Sequence, residues 1–264
     1  MKRTKHPIRI TPTVRRFRLA PCFVALLLIA SAAPPVSATA IANSSIQLSS
    51  LSITPASGSI MFSPTAQSFA QAQNSLGELV SNFNSGATAN SSAVVTWANA
   101  SGWANSGSQT ASASANVSIP NVTGAASSVG RGALFDTAFS ITGASGPVSV
   151  QFSAMFPYSQ SLMTDVYGVQ ATSEVILDLS IDGSVVLFFD SPFTIGPSTS
   201  LATSGSPTLT NSMTLTAGQT YDLYLEIDSE SSGVNTTPEP ATLTLLLGGV
   251  IVPFVRRRLR SFRS

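Results

Sequence analysis

The side chains able to do chemistry in the body of this 264-residue chain are carboxylates. Residues 41–237 hold eleven Asp and Glu, one cation (Arg131), and no Lys, His or Cys; His6 and Cys22 both lie near the N-terminus. This inventory removes a Cys nucleophile, a His base, a Lys Schiff base and a His/Cys zinc site. Eleven negative charges less one positive leave −10, which excludes the phosphate contacts of a nucleic-acid binder. What remains is acid–base work by paired carboxylates, as in a glycosidase, or coordination of a hard cation such as calcium. The first needs one carboxyl of raised pKa in a cleft. Asp178, Asp182, Asp222, Glu226 and Asp228 instead fall on the solvent faces of alternating segments, the setting of a solvated surface. Asp178-x-x-x-Asp182-Gly183 is a poor substitute for a calcium loop. Asp178 and Asp182 are therefore weak metal candidates, and no cofactor is expected.

The segments that position these groups alternate with period two, the signature of half-buried strands. Val148, Val150, Phe152, Ala154 and Phe156 form one apolar row; Val175, Leu177, Leu179 and Ile181 form another; Tyr221, Leu223, Leu225 and Ile227 form a third. Asp182-Gly183 is a strong hairpin signal. Further turns are expected at Ser145-Gly146-Pro147, Ser191-Pro192, Gly196-Pro197, Gly205-Ser206-Pro207 and Ala217-Gly218. Closely spaced strands without intervening helices predict a mainly β fold, an antiparallel β-sandwich of jelly-roll-like type over residues 91–237.

Residues 41–90 are rich in Ser, Ala and Asn and carry one charge, Glu78. Ser63 as N-cap, Pro64 as first helical residue, and Phe69, Ala72, Leu76, Leu79, Val80 and Phe83 at helical spacing predict a short helix over 64–84. A first strand is placed near Ile46–Ile53. Trp97 and Trp103, six apart, would share one face of an extended strand, although Gly102 interrupts the run. Cover for a Ser-rich core is the preferred reading of these rings. A platform for sugar rings, with Tyr224 as a further glycan contact, is the functional one.

Both ends carry addresses. A basic segment over residues 1–18, the apolar run Leu19–Ala30 and small residues at Val36-Ser37-Ala38 and Ala38-Thr39-Ala40 read as a signal peptide over 1–40, cleaved after Ala38 or Ala40. Its partners would be the Sec translocon and signal peptidase. At the other end, over 238–264, Pro238-Glu239-Pro240 precedes fifteen uncharged residues, Ala241–Val255. As a helix these would run about 22 Å, a short transmembrane segment. Arg256, Arg257, Arg258 and Arg260 would stop transfer and hold the far end in the cytoplasm.

This order of motif, short apolar segment and arginine cluster resembles the PEP-CTERM sorting signal of Gram-negative bacteria. The resemblance covers about a tenth of the chain. It implies that Pro238, Glu239 and Pro240 are recognised by an exosortase, a membrane-embedded cysteine protease or transpeptidase, and it links the protein to exopolysaccharide and biofilm. The expectation is an exported, non-enzymatic structural or interaction protein. It would be anchored in the inner membrane through its C-terminal helix before processing, and delivered to the cell surface or extracellular matrix. A carbohydrate-binding module is the alternative, and an acid/base glycosidase the third reading.

Overall fold

The computed structural model describes residues 39–236, apart from Asn121, Val166 and Tyr167. The signal peptide up to residue 38 and the sorting signal at 238–264 lie outside the described residues. Sixteen strands account for most of what is described: β1 Ala40–Leu48, β2 Ser50–Pro55, β3 Ser59–Met61, β4 Thr65–Asn74, β5 Leu79–Gly86, β6 Thr88–Val95, β7 Ala98–Asn105 and β8 Thr110–Ile119, followed by β9 Gly124–Thr142, β10 Pro147–Met155, β11 Tyr158–Thr164, β12 Gly168–Ile181, β13 Ser184–Ile195, β14 Ser200–Gly205, β15 Thr208–Thr216 and β16 Thr220–Asn235. No helix occurs among the described residues. The mainly β, antiparallel expectation therefore holds.

The strands form a front sheet in the order β14-β11-β1-β8-β7-β6 and a back sheet in the order β13-β12-β16-β9-β4-β5, with β3 paired to β9. A third sheet, β15-β10-β2, prolongs the front sheet. Its strands continue β14, β11 and β1 past short breaks at Ser206-Pro207, Phe156-Pro157 and Ser49. Proline supplies no ladder donor, so two of the three breaks follow from Pro157 and Pro207. Strands β4, β6, β7, β8 and β9 pack front sheet against back sheet in a sandwich-like arrangement. β1 and β4 stand between neighbours inside the two sheets. The change of composition near residue 90 is thus no structural boundary.

The expected helix at 64–84 is replaced by the hairpin β4–β5, with Ala66 through Gln73 paired to Leu79 through Gly86. Helical spacing of Phe69, Ala72, Leu76 and Phe83 competed with a second pattern, Ala66-Ser68-Ala70-Ala72, whose small residues are buried at period two. Long-range pairing of β4 with β9 decides in favour of the strand. Gly77, which would weaken a helix, sits at φ +88° in the turn between the strands. Ser191-Pro192 is likewise no turn. It lies within β13, at the sheet edge where a missing N–H is tolerated. The Asp182-Gly183 hairpin forms as expected, with positive φ at both residues.

The interior has two unlike halves. One is thick and packed with large side chains, among them Phe139, Phe152, Phe156, Leu177, Leu179, Leu223 and Leu225. The other is thin and built mostly from alanine, including Ala42, Ala70, Ala72, Ala93 and Ala100. There the two backbones nearly touch. A Cβ placed on Gly130 would fall 2.2 Å from the Ser101 carbonyl oxygen, and one on Gly102 would fall 2.0 Å from that of Arg131. Gly102 therefore does not interrupt β7; it lets the sheets close. Buried serines bridge this seam, as in Ser68 Oγ to Ser91 Oγ at 2.9 Å and Ser44 Oγ to Ser231 Oγ at 3.0 Å. Each bridge satisfies hydroxyls that would otherwise be desolvated without a partner.

Candidate functional site

The two outer faces of this sandwich differ in chemistry. None of the twelve charged residues between 39 and 236 lies on β1, β2, β6, β7, β8, β10, β11, β14 or β15. The front face and its prolongation are uncharged. On the front face the register aligns like residues across strands. Ser204, Ser159, Ser45, Ser114, Ser101 and Ser92 form one row spanning all six strands. Asn43, Asn116 and Asn99 form the next, with Asn116 Nδ2 donating to Asn99 Oδ1 at 2.9 Å. Neighbouring members of a row are about 4.8 Å apart, the spacing of strands. A shallow concavity of ≈ 440 Å³ lies over these rows at Asn43, Ser45, Ser114 and Asn116. It offers hydroxyl donors and acceptors and amide groups, and no charge.

The back face carries the carboxylates. Asp178 pairs with Glu226, and Glu174 with Glu230, across β12 and β16; Asp228 of β16 lies opposite Arg131 of β9. Arg131 donates from Nε to Asp228 Oδ1 at 2.7 Å and from Nη2 to Oδ2 at 2.8 Å, a bidentate pair. Its Nε also lies 3.2 Å from Glu226 Oε1. Tyr224 donates its hydroxyl to Glu226 Oε2 and packs edge-on against Phe135 at 6.2 Å between ring centroids. Burial, aided by the Asp228 charge, pushes the Glu226 carboxyl up to about 7. Burial and Glu226 raise Asp178. Burial raises Glu174, helped by its hydrogen bond to Asp190 and the charges of Asp190 and Glu230. One guanidinium thus serves a row of acids in which burial favours the protonated form of Glu226, Asp228, Asp178 and Glu174 alike. Arg131 occupies Asp228 and approaches Glu226, whose second oxygen Tyr224 takes, so both carboxylates are already partnered within the protein.

Alternation correctly gives the orientation of Glu226 and Asp228, outward from the core, but not their surroundings. The Asp228 side chain is only 6% exposed, because β16 is an inner strand and neighbouring side chains close over it. Asp178 and Asp182 are not brought together as a metal site. Asp178 faces Glu226, whereas Asp182 lies in the β12–β13 turn and accepts the Asp222 N–H at 2.7 Å. Among the described residues no three Asp, Glu, His or Cys side chains are grouped to hold a metal ion.

The three candidate glycan contacts also separate. Trp97 does not share a strand face with Trp103. It lies in the β6–β7 turn at φ +74°, packed against the alanine-rich core and over Gly124. Trp103 is on the uncharged front face, half-buried opposite Ser112 and Asn90. Tyr224 is on the back face with the acids. The hydroxyl and amide rows have no signal along the chain, because they exist only across strands whose register is set by the fold. The chain matches no protein-family model and no curated protein sequence.

Proposed function

We propose that this chain is an exported surface or matrix protein, sorted by an exosortase through Pro238, Glu239 and Pro240, whose jelly-roll-type β-sandwich has a non-enzymatic interaction role. The observation that carries the sorting reading is the terminal order of Pro-Glu-Pro, uncharged Ala241–Val255 and Arg256, Arg257, Arg258 and Arg260. Export through the Sec translocon with removal of the leader fits the start of the fold. Ala40 is already fully buried in β1 and paired with Ile119 and Thr164, which favours cleavage after Ala38. The inner membrane holds the chain through residues 241–255 until exosortase acts, and the body then passes to the cell surface or exopolysaccharide matrix. Replacement of Pro238-Glu239-Pro240 by three alanines is the test. The expected result is a chain that keeps its tail and stays in the inner membrane; normal processing and delivery would refute the sorting reading.

A carbohydrate-binding role for the body is the second reading, favoured by the uncharged front face with its hydroxyl and amide rows. Polysaccharide offers hydroxyls in return, and a net charge of −10 over residues 41–237 steers an acidic polymer away. Trp103 is its one aromatic contact on that face. A glycan panel read against the body's binding tests this independently of sorting.

A further inference from the structure

The six edge strands of the three sheets are unequally protected against pairing with another chain. In the third sheet β2 is six residues long and ends in Pro55, and β15 reaches β13 through Asn211. β13, the edge of the back sheet on one side, carries Asp190 and Pro192, and its pairing with β12 shifts register between Leu179 and Ser180. Asn211 Nδ2 also covers its Val186 carbonyl at 2.8 Å. Although β13 exposes Val185 and Phe188, a charge, a proline and an irregularity are devices that block edge pairing. β14, beside it in the front sheet, is only six residues long and lies between Pro197 and Pro207. On the opposite side, β6 has its Ser92 and Asn90 carbonyls taken by the Nδ2 groups of Asn82 and Asn84. β5 is less protected, its one such device being Asn84 Oδ1, which accepts the Ser85 N–H at 2.9 Å. Its eight residues, Leu79–Gly86, contain no charge and no proline, and pair with β4 without a register shift. Leu79 and Phe83 are 61% and 65% exposed on it.

The sequence of this edge reads the same in both directions about its centre: Ser81-Asn82-Phe83-Asn84-Ser85. Antiparallel pairing of two such strands about Phe83 sets Phe83 against Phe83, Asn82 against Asn84 and Ser81 against Ser85. A two-fold contact needs this self-complementarity. It also fits the charge distribution. Two bodies of −10 repel, yet a contact along β5 brings no charged strand residue together, and Glu78 of each copy falls at opposite ends.

We infer that β5 is a homotypic docking edge, and that its partner is β5 of a second copy of this chain, joining two back sheets across a two-fold axis. The contact is about 27 Å long and smaller than a standard interface, so association is concentration-dependent. It does not depend on the sorting reading, because it is measured on purified protein.

The test uses the full chain in mild detergent with Cys22→Ala, which removes the only cysteine. Ser81→Cys and Ser85→Cys are made separately and oxidised alone and as an equimolar mixture. Facing positions in antiparallel strands lie within disulfide range, while each variant alone places its thiols four residues out of step. The mixture is expected to cross-link at least ~10-fold more than either variant alone. Equal yields in all three samples, or no cross-link in the mixture, would overturn the inference. Phe83→Lys, at an exposed position that leaves the core intact, is expected to abolish cross-linking in the mixture with circular dichroism unchanged. Persistence of the cross-link would equally overturn it.

Discussion

The front and back faces of the sandwich are built from the same alternating strands, but one gathers the outward-pointing strand charges and the other has none. Nine strands supply the uncharged face and its prolongation. β12, β13 and β16 supply the carboxylates of the other and β9 supplies Arg131, while Asp136 of β9 is buried and accepts the Ser63 and Ala138 N–H groups. Period-two patterning decides only which residues point inward; assignment to a sheet decides which outward residues become neighbours. The net charge of −10 is therefore no uniform property of the body. Its outward strand-borne part lies on one face, leaving the other able to meet neutral partners without counterions.

The glycine seam keeps these faces on opposite sides of one body, and breaking it has the largest expected effect. Gly130→Val places a branched side chain where a Cβ alone would fall 2.2 Å from the Ser101 carbonyl oxygen and 2.5 Å from that of Ser114. Backbone on both sides cannot yield without separating the sheets. A loss above roughly 4 kcal/mol is expected, seen as a chain unfolded by circular dichroism at 25 °C. Next comes Arg131→Met, which strips the bidentate partner from a nearly buried Asp228. A fully buried pair broken this way costs about 3–5 kcal/mol. Because the Arg131 side chain is 39% exposed, roughly 1–3 kcal/mol is the discounted expectation in urea unfolding. Asp228→Asn in the same chain should recover most of it.

How far all this could be read in advance follows from the range of the interactions. The rows Val175–Ile181 and Tyr221–Ile227, and the Asp182-Gly183 turn, are local patterns and fold as the sequence indicates. Residues 64–84 mislead because small residues satisfy helical and strand periods alike, and only pairing with β9, sixty residues away, breaks the tie. Gly102 reads as an interruption until the opposite backbone is in place. Likewise the Arg131–Asp228 pair spans 97 positions, and the serine and asparagine rows depend on five strand registers. Nothing along the chain encodes either directly.

The back face should also make stability depend on pH. Glu226 is raised from 4.5 to about 7, and Glu174 and Asp178 are raised as well. A carboxyl whose folded pKa lies above its unfolded one is held more tightly by a proton when folded. Its stabilising contribution is complete below about 4.5 and is lost as pH rises to about 7. Urea midpoints are expected to fall between pH 5 and pH 8. On the order of 1–2 kcal/mol is expected from Glu226 after allowing for solvent. Glu226→Gln should flatten the profile and stabilise the protein at pH 8. A wild-type profile that rises over this interval would contradict the raised carboxyls. For binding, Trp103→Ala should weaken retention by a neutral polysaccharide about 5–10-fold, as loss of a central aromatic contact does. Tyr224→Ala on the opposite face should leave it unchanged; equal losses would remove the distinction between faces.

The smallest expected effect on the protein itself sharpens the contrast most. Ser114→Asp puts one carboxylate in the middle of the front-face serine row, between Ser45 and Ser101. No charged residue lies on that face, and Ser114 is only partly buried. The new charge meets no like neighbour and should shift stability by no more than about 0.5 kcal/mol. The same substitution should matter to a ligand. A carboxylate at the floor of the concavity resists losing water, so binding of neutral polysaccharide should fall while the urea midpoint stays put. Binding unchanged by Ser114→Asp would mean that the rows of hydroxyls and amides are merely a solvated surface. Stability changed by more than 1 kcal/mol would mean that the row is instead part of what holds the front sheet together.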